Sequence, residues 1–496
     1  MFYRPTVIMQ EERQLIYEKS TPGRLGVSLP DTRESEATRN SWIPEQFRRE
    51  GPPPLPEVTE GEVMRHYVNL STKNFHIDRG FYPLGSCTMK YNPRRNDLVA
   101  SHPALAGAHP LAPEKVTRGS LRILGELQQA LLSITGFDAL TLQPAAGAQG
   151  ELVGVLIMKA YHERLERARS KILIPDSAHG TNPASVIIGG MKPVEVKSNE
   201  RGLMGAQTVR GLLDEDTAGL MITNPNTLGL FEEEILEIID VVHASGGLVY
   251  LDGANLNAQL GLVKPGKIGF DLLHINMHKT FSTPHGGGGP GAGALAVTSQ
   301  LEPFLPTPVL SRSSENSAET VYELQSDRPL SVGRVHSAHG NFANHARAYA
   351  YILSLAEDGL RRVSENAIIN ANYLRVLLED TYQLAYPGPC QHEVVFSASR
   401  QKKNGARAAD ISKRLLDFGF HSPTTNFPLI VPEALMIEPT ETESRETLER
   451  FAEALVEISR ETETDLEKVK TAPHTTPVRR LDEAGAARNL DVAYLA

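Results

Sequence analysis

Segments with strand and helix character alternate between about residues 110 and 298, and this alternation constrains the fold of the chain most strongly. Short apolar runs predict strands at residues 139–142, 171–175, 194–196, 219–223, 248–251, 272–276 and 292–298. Apolar residues between these runs recur at helical spacing, for example Leu124, Leu127, Leu131 and Ile134. The alternation predicts an α/β fold with an open, mostly parallel sheet that is covered on both faces.

Several polar or glycine-containing segments follow directly after these predicted strands. Open α/β sheets bind ligands at the carboxyl ends of their strands, so these segments predict one ligand site. The candidate residues are, in chain order, Gly147, Ala148, Gln149, His179, Asn224, Asp252 and Lys279. A very glycine-rich loop, residues 286–289, comes soon after Lys279 and would let the backbone approach a ligand closely.

The chemistry that suits this order of residues is that of pyridoxal phosphate. Lys279 can hold the aldehyde of the cofactor as a Schiff base, and Asp252 can keep the pyridine nitrogen protonated so that the ring accepts electrons. The helix that starts at residues 147–149 offers backbone amides to the phosphate. His179 can stack on the ring face, and Asn224 can hydrogen-bond the phenolic oxygen.

Each of these residues also has an ordinary structural explanation. Most lysines are solvated surface charges, and Asp252 precedes a glycine, as turn aspartates often do. Asn224 begins an Asn-Pro pair that is typical of turns, and a loop histidine such as His179 is more often only hydrogen-bonded. The order of all the elements, each after its own strand, therefore carries more weight than any one residue.

The composition is that of an ordinary globular protein and argues against several classes of function. The 496 residues carry a formal net charge of −10, and no basic stripe offers contacts to nucleic acid. No apolar run reaches membrane-spanning length, and the first residues lack the features of a signal peptide. The only cysteines, Cys87 and Cys390, match neither a disulfide framework nor a zinc spacing. We therefore predict a cytoplasmic protein that contacts neither nucleic acid nor membrane.

Changes in composition and in the spacing of apolar residues predict four regions along the chain. Residues 1–105 form an N-terminal arm, rich in Pro, Glu and Arg, followed by a segment that carries a long motif. Residues 106–340 form the large ligand-binding domain. Residues 341–470 form a smaller α+β domain, which begins with a long helix interrupted only at Gly359. Residues 471–496 form an irregular tail.

Long motifs along nearly the whole chain resemble one particular family. Residues 79–93 read Arg-Gly-Phe-Tyr-Pro-Leu-Gly-Ser-Cys-Thr-Met-Lys-Tyr-Asn-Pro and are similar to the signature of the glycine decarboxylase P-proteins. Further similar segments are residues 143–151, 176–183, 223–231, 251–257, 277–293 and 437–444. P-proteins are fold-type I enzymes, similar to aspartate aminotransferase. The length of this chain resembles the second half of the fused P-proteins, or subunit 2 of the split ones.

The resemblance implies an activity, a cofactor and partners. A P-protein decarboxylates glycine with pyridoxal 5'-phosphate and transfers the aminomethyl group to the lipoyl arm of the H-protein, releasing carbon dioxide. A split P-protein is implied to assemble with subunit 1 as a two-plus-two heterotetramer. The implied cofactor contacts extend to Ala254 and His278, and the signature segment places Thr88 and Cys87 near the substrate. The implied catalytic residues are Lys279, His179 and Asp252.

Three other functions remain open on the residues alone. An aminotransferase or a cysteine desulfurase would keep Lys279 and Asp252 but act on another amino acid. A metal hydrolase could use His274, His278 and His285, although no carboxylate has a matching spacing. A subunit that binds a partner without catalysing a reaction would not need an intact lysine and aspartate.

Two further residues or segments stay undecided. The stretch around His336 and His339 departs from the pattern expected of the family, which leaves a substrate role for these histidines open. Cys87 stands beside a predicted disulfide substrate and could have a redox role. The alternative, a small buried apolar residue, is the commoner use of a free cysteine and the favoured interpretation.

Overall fold

The computed structural model describes residues 14–28, 35, 38, 41–51, 53–285, 291–313 and 320–493. Contacts divide the chain into two compact units, Met1–Arg79 with Pro477–Arg479, and Gly80–Thr476 with Arg480–Ala496. All residues predicted for the site belong to the second, larger unit. Residues 80–105 also belong to it, whereas the sequence grouped them with the arm. The finer domain boundaries stay predictions.

The smaller unit contains one longer helix among its described residues, α1 (Glu60–Ser71). The hydroxyl of Thr59 accepts the backbone amide of Glu62, and the Glu62 carboxylate accepts the amide of Thr59. This reciprocal pair satisfies two amides that a helix start otherwise leaves free. The proline-rich residues 53–56 form neither helix nor strand, as their composition predicts. Short 3₁₀ helices form at Ile16–Lys19 and Glu45–Phe47.

A seven-stranded sheet forms the centre of the larger unit and has the mostly parallel arrangement that the sequence predicts. Its strands are β1 (Ala139–Thr141), β2 (Lys171–Pro175), β3 (Lys192–Val196), β4 (Thr217–Thr223), β5 (Leu248–Gly253), β6 (Leu272–Asn276) and β7 (Gly293–Val297). They lie in the order β1-β7-β6-β5-β4-β2-β3. Strands β2 to β6 run parallel, whereas β7 and β1 pair antiparallel at one edge. Parallel neighbours need long crossover connections, which explains the alternation of strands and helices along the chain.

Helices cover both faces of this sheet, so every residue of β4 to β7 is buried. Alternate residues of a strand point to opposite faces. Leu220 and Ile222 therefore join one apolar cluster, which also contains Leu127, and Met221 joins the other, which contains Met158. The helices are α2 (Arg94–Ala100), α3 (Pro103–Ala106), α4 (Glu114–Thr135), α5 (Gly147–Arg164), α6 (Thr181–Ile188), α7 (Ala206–Leu212), α8 (Ile235–Ala244), α9 (Pro265–Ile268) and α10 (Met277–Thr280).

A smaller antiparallel sheet follows toward the carboxyl terminus. After the hairpin of β8 (Val309–Arg312) and β9 (Tyr322–Gln325) comes the long helix α11 (Phe342–Leu378). The second sheet has the order β10-β11-β13-β12. Its strands are β10 (Gln383–Leu384), β11 (Val394–Ser397), β12 (Thr424–Thr425) and β13 (Ala434–Ile437). The accompanying helices are α12 (Ser399–Lys403), α13 (Ala408–Asp417), α14 (Arg445–Thr464), α15 (Leu466–Lys470) and α16 (Glu483–Arg488).

Two local expectations from the sequence meet a different outcome. The interruption of α11 falls at Ala356, with φ 52° and ψ −166°, and not at Gly359, which continues the helix. The tail, expected to be irregular, contains the short helix α16, which Asp482 caps by accepting the amide of Gly485. The glycine loop at residues 286–289 lies outside the described residues. Among those that are described, no helix combines the length and the apolar character that crossing a bilayer requires.

Candidate active site

A cavity of about 220 Å³ opens at the carboxyl ends of β4, β5 and β6. Thr223 and Asn276, the last residues of β4 and β6, line it. The parallel strands bring these ends together at one edge of the sheet, which is where such sheets bind ligands. Seven of the residues predicted from the sequence also line this cavity: Gly147, Ala148, His179, Asp252, Ala254, His278 and Lys279.

Lys279 lies in the single turn of α10, directly after β6, and its amine contacts a turn of the signature segment. The Lys279 Nζ donates a hydrogen bond of 2.9 Å to the carbonyl oxygen of Ser86. Ser86 and Thr88 both have positive φ, at 63° and 50°. Residues with a side chain adopt this conformation only where surrounding contacts enforce it. The turn formed by residues 86–88 therefore presents a constrained backbone acceptor to the lysine.

Asp252 is buried next to three donors. Its Oδ1 accepts the backbone amide of Ala254 at 2.9 Å, and its Oδ2 accepts the Asn182 side-chain amide at 3.0 Å. The His274 Nε2 lies 3.1 Å from Oδ1. Burial by itself would raise the pKa of Asp252, but these donors favour the charged form, so the pKa lies below its ordinary value. Asp252 is thus a carboxylate at neutral pH.

The imidazole of His274 joins Asp252 to Tyr250 within the sheet. Its Nδ1 lies 2.9 Å from the Tyr250 hydroxyl, which is also 3.2 Å from the carbonyl oxygen of Gly150. Because the Asp252 carboxylate only accepts, the His274 Nε2 carries a proton. The contact arises because Asp252 and His274 are paired residues of the neighbouring strands β5 and β6. This buried bridge holds the carboxylate in one orientation.

The start of helix α5 suits an anionic group. Gly147 and Ala148, in the first turn of α5, line the cavity. The amides of the first turn of a helix have no acceptor within the helix. Among the described residues no side chain caps α5 in place of such an acceptor. These amides and the helix dipole favour a negatively charged group such as a phosphate. A side chain at position 147 would come within 2.2 Å of the Asn276 Oδ1, which explains the glycine.

His179 follows β2 and presents an exposed ring at the cavity wall. Its Nδ1 accepts the backbone amide of Thr181 at 3.2 Å and lies 2.9 Å from the Thr181 hydroxyl. That hydroxyl donates to Glu151 at 2.9 Å, which ties the ring to α5. The fixed, exposed ring is suited to covering one face of a flat cofactor.

Two residues predicted to contact the cofactor, Gln149 and Asn224, lie outside the lining of the cavity. The Gln149 side chain donates to the carbonyl of Val335 at 3.0 Å. The Asn224 Oδ1 accepts the backbone amide of Glu232 at 3.1 Å. Both side chains thus support the loops behind the cavity, and a direct contact with the cofactor stays a prediction for each.

The two residues predicted near the substrate, Cys87 and Thr88, belong to the turn that receives Lys279 but lie outside the lining of the cavity. Thr88 is fully buried. The carbonyl of Cys87 lies 3.0 Å from the His285 Nε2. Burial raises the pKa of the Cys87 thiol, so it is not an activated thiolate at neutral pH. A substrate contact stays a prediction for both residues.

Buried polar atoms around the cavity lack protein partners, and such atoms indicate a polar ligand. Within the described residues, the atoms Thr223 Oγ1, Asn255 Oδ1, Asn276 Oδ1 and His278 Nδ1 have no hydrogen-bond partner, and all four residues line the cavity. Burial, followed by the charges of His285 and Lys279, lowers the pKa of His278 to about 3, so its ring is neutral. An aldehyde, a phosphate and a ring nitrogen on one ligand fit the amine, the helix start and the carboxylate present here.

The three histidines that a metal hydrolase would need do not form one cluster. His274 contacts Asp252, whereas His278 and His285 pack edge to face, with ring centroids 4.9 Å apart. In the described part of the chain, two groups have the spacing of metal ligands. One combines Glu151, Asp252 and His274, and the other His392, Glu393 and Glu438. The predicted histidine triple is not among them.

A second, larger cavity of about 480 Å³ lies beside helix α4, and Arg334 and His339 line it. Burial, followed by the charges of Arg334 and His336, lowers the pKa of His339 to about 4. Neither Lys279 nor Asp252 lines this cavity. The structure therefore adds no support for a substrate role of His339.

Several residues that support the site were not predicted from the sequence. Asn182 lies within the family motif at residues 176–183, and Ser86 lies within the signature segment, but neither was assigned a role. His274 was considered only as a metal ligand. No local pattern marks these contacts, because they depend on strand pairing and on the close approach of the signature segment to α10.

Comparisons with known proteins identify the family. Residues 363–481 match the family described as the C-terminal domain of glycine dehydrogenase. The probable glycine dehydrogenase (decarboxylating) subunit 2 of Listeria innocua is 51% identical over 487 residues, which cover 98% of this chain and 99% of the relative. The chain belongs to the glycine dehydrogenase (decarboxylating) subunit 2 family. The relative of the same name from Chlorobaculum tepidum is 52% identical over 482 residues, or 97% of this chain and 99% of the relative.

Solved structures show the same fold. A glycine decarboxylase (P-protein) of the glycine cleavage system, in inhibitor-bound form, aligns with a TM-score of 0.72 at 20% identity, over 92% of this chain and all of that chain. A cysteine desulfurase from Thermococcus onnurineus aligns with a TM-score of 0.59 at 14% identity, over 77% of this chain and 95% of that chain. The predicted fold-type I architecture is confirmed. Membership in the family confirms the predicted enzyme class, glycine dehydrogenase (decarboxylating), and the predicted cofactor, pyridoxal phosphate.

Proposed function

We propose that this chain is the cofactor-bearing subunit that decarboxylates glycine and transfers the aminomethyl group to the lipoyl arm of an H-protein. Glycine loses its carboxyl group as carbon dioxide, and one lipoyl sulfur takes the aminomethyl carbon. The other sulfur becomes a thiol, so the electron pair of the broken C–C bond reduces the disulfide. One observation carries the proposal: the amine of Lys279 and the buried carboxylate of Asp252 line the same cavity.

Pyridoxal phosphate, when bound, supplies an aldehyde that condenses with amines and a ring that accepts electrons. Lys279 would hold the aldehyde, and its amine would return to the carbonyl of Ser86 whenever the amine of glycine takes its place. Asp252 would keep the ring nitrogen protonated. The first amides of α5, at Gly147, would hold the phosphate, and His179 would cover the ring.

We further propose a complex with subunit 1, in a two-plus-two heterotetramer, and with the lipoylated H-protein, in the cytoplasm. The relatives carry the name subunit 2, which supports a partner subunit. Cys87 and Cys390 are both free, so the disulfide that accepts the aminomethyl group is proposed to come from another protein.

A borohydride trap tests the cofactor site. The purified chain is loaded with pyridoxal phosphate, its visible spectrum is recorded with and without glycine, and it is reduced, digested and analysed by mass spectrometry. We expect a reduced adduct on Lys279 and a spectral change that depends on glycine. The Lys279→Ala variant should lose the adduct, because among the described residues no other lysine lines the cavity.

Lys264→Ala serves as the matched control, since Lys264 does not line the cavity and should leave the adduct in place. An adduct on another lysine would overturn the assignment of Lys279. Glycine-dependent exchange of labelled carbon dioxide, measured with subunit 1 and lipoylated H-protein present, tests the reaction. An adduct on Lys279 that responds to a different amino acid, without such exchange, would contradict glycine as the substrate.

A further inference from the structure

Behind the turn of residues 86–88 lies a buried acidic cluster that the reaction above does not use. Glu393 directly precedes β11, and Glu438 directly follows β13. The two strands pair antiparallel with Val394 opposite Ile437, so the register places the two glutamates opposite each other. Glu393, Glu438 and the adjacent His392 are all 0% exposed. Two carboxyl groups are thus brought together away from water.

One oxygen of each carboxyl group supports the turn that receives Lys279. The Glu393 Oε2 accepts the backbone amide of Ser86 at 2.8 Å, and the Glu438 Oε2 accepts the amide of Thr88 at 2.8 Å. The carbonyl of Ser86 in turn accepts the amine of Lys279. The pair of glutamates therefore holds the positive-φ conformation of a turn whose carbonyl binds the lysine.

The second oxygens of the two glutamates face His392. The His392 Nε2 lies 3.9 Å from the Oε1 of Glu393 and 3.9 Å from the Oε1 of Glu438. Both Oε1 atoms and both ring nitrogens of His392 lack hydrogen-bond partners within the described residues. A separation of 3.9 Å is too long for a direct hydrogen bond.

The charges around the cluster limit how many of its groups are ionised. Burial, followed by the charge of Lys279, lowers the pKa of His392 to about 3, so its ring is neutral. Burial raises the pKa of both glutamates, and the Glu438 charge raises that of Glu393 further. The surrounding ionisable groups are Lys279, Lys90 and the thiol of Cys87. One carboxylate oxygen of Glu393 lies within 4.8 Å of one of Glu438. Like charges this close disfavour double ionisation, and the nearby lysines favour one negative charge.

We propose that Glu393 and Glu438 share one proton and act together as a single negative charge that positions the turn of residues 86–88 and provides a counter-charge to Lys279. Both are positioning residues, since they act through the turn. The link to Lys279 rests on the function proposed above. A doubly ionised pair would be costly in this buried position, and an uncharged pair would leave Asp252 as the remaining counter-charge to the lysine.

Glutamine variants test the shared proton in the protein without cofactor. Glutamine resembles the protonated glutamic acid in shape, so the other glutamate should ionise fully in either single variant. The infrared spectrum of the double variant Glu393→Gln/Glu438→Gln is subtracted from that of the wild type at neutral pH. The difference should contain the stretching band of one protonated carboxyl group. Each single variant should lack this band. Glu443→Gln is the matched control, because burial raises the pKa of Glu443 to about 7, and the pair's band should persist in it.

The absorbance of the cofactor bound to Lys279 tests the counter-charge. Its pH titration midpoint should change by less than about 0.3 pH unit in Glu393→Gln and Glu438→Gln, because one negative charge remains. In the double variant it should fall by about 1 pH unit or more, because the negative charge behind the turn is then lost and only that of Asp252 remains near Lys279. A purely structural role predicts no such pattern, since a glutamine oxygen can still accept the amides of Ser86 and Thr88.

Several outcomes would overturn the proposal. A protonated-carboxyl band that survives in either single variant would mean that both glutamates are neutral in the wild type. A midpoint that falls by similar steps in both single variants, with no band in the wild type, would mean that both are ionised. A stoichiometric divalent metal that is lost in the single variants would also contradict a shared proton.

Two further results keep the test decisive. If the double variant does not fold, the loss or survival of the band in the single variants still decides whether the proton is shared. If borohydride does not label Lys279 while the band behaves as expected, the proposed cofactor role fails, and with it the counter-charge to Lys279. The proton shared by Glu393 and Glu438 would then be the part of the proposal that remains supported.

Discussion

At the residue scale, the ionised state of Asp252 depends on neighbours that the sheet brings to it. Asn182, Ala254 and His274 outweigh the cost of burial and lower the pKa of the carboxyl group. The stability that this charge contributes is fully present above 3.8, the ordinary pKa of an aspartate. It is lost only as the pH falls through the lower pKa that Asp252 has in the folded state. Protonation of Asp252 should therefore not limit activity near neutral pH.

Asp252→Asn should reduce glycine-dependent carbon dioxide exchange by at least about 100-fold, because a neutral amide does not stabilise a protonated ring nitrogen. Steady-state exchange assays with the reconstituted system measure the loss. Asp271→Asn is the matched control, since Asp271 is also buried and pairs with His243 at 2.8 Å, but does not line the cavity. Equal losses in the two variants would indicate a general effect on folding.

The buried Glu232 predicts a pH dependence of stability. Burial raises its pKa to about 7 from an ordinary value of 4.5. Between these values the folded state binds a proton that the unfolded state has lost, so stability falls as the pH rises, by about 3 kcal/mol at most. Denaturant unfolding of Glu232→Gln should show a flatter profile between pH 4.5 and 7. An unchanged slope would contradict this role of Glu232.

At the element scale, a buried ion pair joins segments that are distant in sequence. The Lys90 Nζ lies 2.8 Å from the Glu441 Oε1 and also donates to the Asn257 Oδ1 at 2.8 Å and to the carbonyl of Thr280 at 3.0 Å. Lys90 belongs to the signature segment, Thr280 ends α10, and Glu441 follows β13. The contact thus holds the signature segment against the helix that carries Lys279.

Lys90→Met should lower the free energy of unfolding by about 3–5 kcal/mol, because it leaves the carboxylate of Glu441 buried without its partner. Urea denaturation followed by circular dichroism measures the change. Arg445→Met provides the control, since the Arg445 side chain is 75% exposed in its pair with Glu449 and its loss should change the free energy of unfolding far less. A similarly small effect at Lys90 would show that the buried pair adds little net stability.

The kink in α11 gives a second prediction for an element. Ala356 has a backbone conformation that is essentially restricted to glycine and costs about 1–3 kcal/mol for other residues. Ala356→Gly should therefore raise the free energy of unfolding by about 1 kcal/mol, after the greater chain entropy of glycine is subtracted. Ala350→Gly, in the regular part of the same helix, should lower it by about 1 kcal/mol. Destabilisation by both changes would argue against strain at Ala356.

At the scale of the whole molecule, the larger unit assembles the site from several distant parts of the chain. Ser86 comes from the signature segment, His179 and Asp252 follow or end strands of the large sheet, and Lys279 lies in α10. The small sheet supplies Glu393 and Glu438 behind the turn. Both sheets therefore contribute to the environment of Lys279.

The proposed assembly predicts how activity responds to subunit 1. Glycine-dependent exchange should rise as subunit 1 is added and should saturate at equimolar amounts, because the proposed complex contains two copies of each chain. Sedimentation equilibrium should then give the mass of a two-plus-two complex. Full exchange activity of this chain in the absence of subunit 1 would contradict the proposed requirement for a partner.

The sequence by itself determined the α/β fold class and the family, because both depend on local patterns. Apolar periodicity marks strands and helices, and long motifs mark the family. Residues such as Asp252 and Lys279 could be predicted because each follows its own strand, and parallel strands bring such positions to one edge. Nothing in the local pattern distinguishes Asn224, which lies behind the cavity, from residues that line it.

Only the tertiary structure decided which side chains meet across strands. Strand register pairs Asp252 with His274 and places Glu393 opposite Glu438, and this register results from packing between distant parts of the chain. The helix interruption at Ala356 was likewise not predicted, because glycine at position 359 is the stronger local signal. Local periodicity therefore determines which elements form, and long-range packing determines which side chains contact one another.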